Sequence, residues 1–163
     1  MGDIMVTDLP HRNAIRLQDY DYSQAGYYFI TICVENRRMM LWSDVETAID
    51  DIPLSEVGKM IETALRNIET IYSNAFLDEY VIMPNHVHFI LVIDGSGRPL
   101  VAPTVSRIIQ QFKGYVTKNC RQNGFSWQKS FYEHIIRNEQ DLLKIRDYIF
   151  NNPAKWHEDK YFA

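Results

Sequence analysis

The apolar positions of this chain switch period several times, and each switch marks an element. Tyr27 to Val34 runs Tyr-Tyr-Phe-Ile-Thr-Ile-Cys-Val with no breaker, which predicts a strand buried on both faces. After the turn-like Asp50 to Pro53, Val57, Met60, Ile61, Ala64, Leu65, Ile68 and Ile71 recur at three- and four-residue intervals. That stripe predicts an amphipathic helix over about 54–72. Phe76 to Met83 and His86 to Ile93 then read as two strands of a hairpin, turned at Pro84–Asn85. A second helix is expected over about 104–120, behind Pro103, and a fourth strand over 131–136. Asn138, with Asp141 three residues on, can cap a last helix that Asn152–Pro153 stops. The order β-α-β-β-α-β plus a terminal helix is the ferredoxin-like split βαβ, an α+β fold with an antiparallel sheet and helices on one face. Its expected division is an N-terminal arm over 1–26, a folded unit over 27–137, and a C-terminal helix and tail over 138–163 packed on the same unit.

A chain of 163 residues fits one domain of this kind. With 46% hydrophobic residues it can fill a core, and its 13% aromatics suit either a core or a surface that stacks on bases. Cys33 and Cys120 have no CxxC spacing, so free thiols are expected rather than a disulfide or a zinc–cysteine site. Met1 to Pro10 has no apolar leader core, and the apolar runs are too short to span a bilayer. The expectation is a soluble, cytoplasmic protein with no membrane partner. The net charge of −4 counts against a bulk nucleic-acid binder. Its distribution softens that objection. Thr104 to Arg137 holds six basic residues and one acidic, whereas Glu35 to Glu69 holds eight acidic and four basic. A polyanion responds to the local patch, so one basic face with an acidic back is a possible arrangement.

Candidate chemistry begins with His86 and His88. Alternate residues of a strand share a face and sit about 7 Å apart, so the two imidazoles can converge on one divalent ion. The bland alternative is a pair of half-exposed histidines at the mouth of a hairpin. On the second predicted helix, Val105, Ile108, Ile109, Phe112 and Val116 form the face packed on the sheet. Tyr115 falls on the flank of that face and Asn119 within it, as i,i+4 neighbours. They read either as an edge core residue and a last-turn cap, or as a nucleophile beside a third metal ligand. A phenol with its usual pKa of about 10 attacks only an electrophile that a cation has made reactive.

Three segments carry a family resemblance. Tyr80-Val-Ile-Met-Pro-Asn-His-Val-His-Phe-Ile-Leu91, Phe112-Lys-Gly-Tyr115 and Trp127-Gln-Lys-Ser-Phe-Tyr-Glu-His-Ile-Ile-Arg137 together resemble the REP-associated tyrosine transposases. These are relatives of the HUH-type, single-tyrosine insertion-sequence transposases. Tyr148-Ile, Asn151-Asn-Pro and Trp156 extend the likeness, which runs from about residue 16 to 156. The resemblance implies that 27–137 is an HUH-type catalytic domain, with His86 and His88 holding Mg or Mn and Asn119 completing the shell. It implies Tyr115 as the nucleophile, leaving a 5′-phosphotyrosine and a free 3′-OH. The implied substrate is a single-stranded REP hairpin. Chromosomal relatives of this kind act as monomers, a state slightly favoured here over the dimer of the insertion-sequence enzymes.

The remaining candidates are DNA contacts. Arg107, Lys113, Lys118 and Arg121 lie on or just past the helix of Tyr115 and can meet phosphates. Trp127, Phe131 and Tyr132 can stack on bases or fill the core, and Arg12 and Arg16 can read a groove or a guide sequence. His134 reads as structural. Two other functions stand beside the nuclease: a hairpin-binding module that does not cut, and a hydrolase that uses the histidines to activate water. The second normally brings an acidic base, and Asp78 and Glu79 sit at the far end of the preceding strand.

Overall fold

A computed structural model describes residues 26–44, 52–94 and 104–158. Strands β1 (Gly26–Cys33), β2 (Ala75–Ile82), β3 (His86–Ile93) and β4 (Tyr132–Ile136) form one sheet in the order β2-β3-β1-β4. Every adjacent pair is antiparallel. Helices α1 (Glu56–Ile71), α2 (Val105–Asn119) and α3 (Glu139–Asn151) complete the elements expected from the sequence. β1 therefore lies parallel to β2 and β3 parallel to β4, each pair split by one strand, so both crossover helices fall on the same face.

Local chemistry starts each helix. The Ser55 and Thr104 hydroxyls accept from the Gly58 and Arg107 backbone N–H groups at 3.1 Å. Asn138 caps α3, its side chain accepting from the Asp141 N–H at 2.8 Å, as expected.

The alternation along β3 assigns the two faces. Val87, Phe89, Leu91 and Ile93 point to the α1/α2 layer, where the Phe89 and Phe112 ring centroids are 6.0 Å apart. His86 and His88 point the other way, to α3 and the short 3₁₀ turn Pro153–Glu158 behind it. Every residue of β1 and β3 is buried, because helical segments cover both faces of the two central strands.

Two expectations about the surface change. The basic α2 and the acidic α1 pack side by side on one face of the sheet, so they do not form a basic front and an acidic back. Trp127 is buried, packed on Phe112 and Phe125 and bridged through its backbone to Val34, which makes it a core residue and not a stacking platform. Cys33 and Cys120 are both buried, with no disulfide between them. No helix among the described residues is long and apolar enough to cross a membrane.

Candidate active site

β1, β3 and α3 bring the site together. His86 and His88 are almost fully buried, and their Nε2 atoms face one another at 3.0 Å. Asn85 orients the first ring: its Nδ2 donates to the Arg37 carbonyl (3.4 Å), which aims Oδ1 at His86 Nδ1 (2.8 Å). An amide oxygen only accepts, so Nδ1 carries the proton and Nε2 keeps its lone pair. The Arg37 carbonyl comes from a turn in which Asn36 and Arg37 are both left-handed (φ 59° and 54°), a costly backbone for residues with a Cβ. Thr31, directly across from His88 on β1, hydrogen-bonds its Nδ1 at 2.8 Å. A hydroxyl can donate or accept, so His88 can adopt either neutral tautomer without losing that bond.

α3 and the 3₁₀ turn behind it lay one aromatic ring each over the pair. The Tyr148 ring lies 5.2 Å from the His88 ring, with its hydroxyl 3.5 Å from His88 Nε2. The Trp156 ring lies 6.1 Å from the His86 ring. Asn152 falls between these two along the chain. It is 5% exposed, and its Oδ1 has no hydrogen-bond partner among the described residues. Phe29 backs the assembly, stacking on His88 at 5.4 Å and meeting the Tyr148 and half-exposed Tyr132 rings edge-on. Tyr148 is 40% exposed, so its phenol can reach a substrate.

This donor set suits a divalent cation. Two imidazole nitrogens 3.0 Å apart have the separation of neighbouring ligands at right angles with bonds of about 2.1 Å. No third His, Cys, Asp or Glu joins them among the described residues. Asn152, between Tyr148 and Trp156 along the chain, has a buried oxygen without a partner among the described residues, a costly condition that makes it the candidate third donor.

Tyr115 and Asn119 are not brought to the histidines. They lie on α2, across the sheet, where Tyr115 lines a groove with Ile68, Ile71 and Ile108. Asn119 is exposed and donates back to the Tyr115 carbonyl at 2.8 Å, the last-turn arrangement. The pattern places Asn119 on the buried side of an ideal helix, but at the last turn α2 no longer has sheet beneath it. Lys113 is also engaged: its ammonium donates to the Gln128 and Lys129 carbonyls at 2.7 and 3.1 Å, and burial pushes its pKa down. It ties the loop before β4 to α2 and is not presented to a phosphate. Arg107, Lys118 and Arg121 are exposed on the α2 side, away from the histidines. Arg12 and Arg16 lie outside the described residues. His134 pairs with Asp141 at 2.7 Å, joining β4 to the start of α3. The sequence reading did not single out Tyr148, which the fold brings to His88, or Asn152, one turn on with a buried unpartnered oxygen. The signal was present as a second i,i+4 Tyr–Asn pair, at the end of the last helix.

The sequence profile described as "Transposase IS200 like" matches residues 22–152. The chain belongs to the IS200-like transposase family. It is therefore a transposase-type, DNA-processing protein. It is 35% identical to an uncharacterized protein of Haemophilus influenzae, over 94% of both chains. It is 27% identical to the REP-associated tyrosine transposase of Escherichia coli K12, across 82% of this chain and 70% of that one. A solved REP-associated tyrosine transposase bound to a REP hairpin superposes with a TM-score of 0.63 at 26% identity. That match covers 86% of this chain and 74% of the solved one.

Proposed function

We propose that this protein is a metal-dependent single-stranded DNA endonuclease and strand transferase whose nucleophile is Tyr148. The observation that carries the reading is the Tyr148 hydroxyl 3.5 Å from His88 Nε2, on the one face of the sheet that holds both histidines. His86, His88 and the Asn152 oxygen would hold Mg or Mn, and a bound ion would polarise the scissile phosphate and stabilise the leaving oxygen. Asn85 and Thr31 keep the two imidazoles aimed at a common point. Phe29 and Trp156 exclude water from behind the rings. Tyr148 Oη forms the new bond to phosphorus, and its proton leaves to solvent. The bond from phosphorus to the 3′ oxygen breaks, and that oxygen takes up a proton. The products are a 5′-phosphotyrosine and a free 3′-OH, and attack by a 3′-OH reverses the step and rejoins DNA.

A solved relative bound to a REP hairpin supports a single-stranded REP-type hairpin as the substrate class. Tyr148 reaches the histidines of its own chain, which favours a monomer that acts alone.

The test is a labelled REP-type hairpin incubated with Mn or Mg and wild type, Tyr148→Phe or Tyr115→Phe, read as a covalent adduct on a denaturing gel. Adduct formed by wild type and Tyr115→Phe, and absent with Tyr148→Phe, is the expected result. Loss with Tyr115→Phe alone moves the nucleophile to the other face. Cleavage without adduct by all three indicates a water-activating hydrolase, and binding without cleavage indicates a hairpin-binding module.

A further inference from the structure

α3 carries Tyr148 but is thinly anchored by apolar contacts. Only Leu142 and Ile149 are fully buried among its residues. A helix held by two buried apolar side chains and the half-buried Ile145 can slide or roll by an ångström at little cost, and that distance matters to a nucleophile. Two residues before Tyr148, Arg146 makes a forked contact with Asp78 of β2. Nε donates to one carboxylate oxygen and Nη2 to the other, both at 2.7 Å. Both side chains are largely buried, 24% and 11% exposed. A planar fork of this kind fits one relative position of its partners, which a point charge would not require.

β2 is built to supply the carboxylate. Leu77 pairs with Leu91 and Tyr80 with Phe89, so Asp78 and Glu79 stand against Ile90 alone. On a regular strand residues 78 and 80 would share a face. The extra residue separates them. Asp78 turns to α3, while Tyr80 turns to α1, where its hydroxyl meets Glu62 and Arg66.

We propose that the Asp78–Arg146 pair is a latch that fixes the register of α3 over the histidines, making both residues positioning residues for Tyr148. The proposal rests on Tyr148 being the nucleophile. Neither residue touches the reacting atoms, so the latch acts on the rate of the chemical step and not on the capture of DNA.

The experiment uses the full chain with Arg146→Met, Asp78→Asn, the double variant and Arg146→Lys. The double variant strands no buried charge and so guards against simple misfolding. Three quantities are read: single-turnover adduct formation at saturating hairpin, hairpin affinity in EDTA, and amide exchange of residues 146–151. The expected result is a loss of about 100-fold in adduct rate, as an ångström-scale misplacement gives, with hairpin affinity unchanged. The double variant should be no slower than the worse single, and Arg146→Lys intermediate. Exchange in 146–151 should quicken while that of α2 does not. An unchanged rate, or a fall in affinity as large as the fall in rate, overturns the latch. If wild type forms no adduct, the nucleophile reading has failed, and the latch is judged on exchange alone. Unaltered exchange in 146–151 then refutes it.

Discussion

Replacing Asn152 by Leu should make the cation-free protein more stable and the cation-loaded protein less so. Leu has the same heavy-atom skeleton as Asn, so the change removes polarity with little change of shape. In the structure Asn152 is 5% exposed, and its Oδ1 has no partner among the described residues. A buried acceptor in that condition costs about 1–3 kcal/mol. Its Nδ2 reaches the Tyr148 carbonyl only at 3.5 Å, the limit of a useful hydrogen bond, so little is lost on that side. The net gain expected in EDTA is about 1 kcal/mol, or a Tm increase of about 2–4 °C for a chain of this size. Wild type should gain about 2.7 kcal/mol at a Mn concentration 100 times its Kd, a further rise of about 5–10 °C. In Asn152→Leu that increment should shrink toward zero, together with adduct formation. The assay is a thermal melt with EDTA and across a Mn series. A lower Tm in EDTA would show that Oδ1 has a partner in the folded protein. An undiminished Mn increment would show that the oxygen is not a ligand. Either result refutes the reasoning.

Two further outcomes test how the scaffold holds the site. A Cβ at Gly58 would stand inside van der Waals contact with the Leu41 carbonyl oxygen, which the Ser55 N–H holds at 2.9 Å. The helix-propensity gain of about 1 kcal/mol should lose to an overpacking cost of about 1–3 kcal/mol, so chemical denaturation of Gly58→Ala should give a lower midpoint. Lys113→Met leaves the Gln128 and Lys129 carbonyls without their charged donor. It should lower stability by about 1–2 kcal/mol while the salt dependence of hairpin binding stays as in wild type. A shallower salt slope would return Lys113 to the phosphate contacts.

Much of this fold was legible because its signals are local. The stripe from Val57 to Ile71, the hairpin turn at Pro84–Asn85 and the cap at Asn138 each describe one element, and each element formed within a few residues of its expected bounds. His86 and His88 were legible for the same reason, since alternation on a strand puts 86 and 88 on one face whatever surrounds it. Lys113 and Trp127 were not. Whether a lysine meets a phosphate or the carbonyls of a loop some 15 residues on depends on where that loop returns, and whether a tryptophan is a platform or a core residue depends on what lies above it.

Which of Tyr115 and Tyr148 meets the histidines is decided by the side of the sheet. Both tyrosines sit on helices with an asparagine four residues on, so helical periodicity treats them alike. The topology does not. Two right-handed crossovers in a split βαβ put α1 and α2 on the same face, and that face of β3 must be its apolar one. Val87, Phe89, Leu91 and Ile93 supply it, which leaves His86 and His88 facing away from α2 and from Tyr115. The helix that meets the histidines therefore has to follow β4, outside the βαββαβ core. A nucleophile on such a helix owes its placement to few apolar contacts. That physical circumstance makes the polar ties of α3, Arg146 to Asp78 and Asp141 to His134, matter more than their number implies.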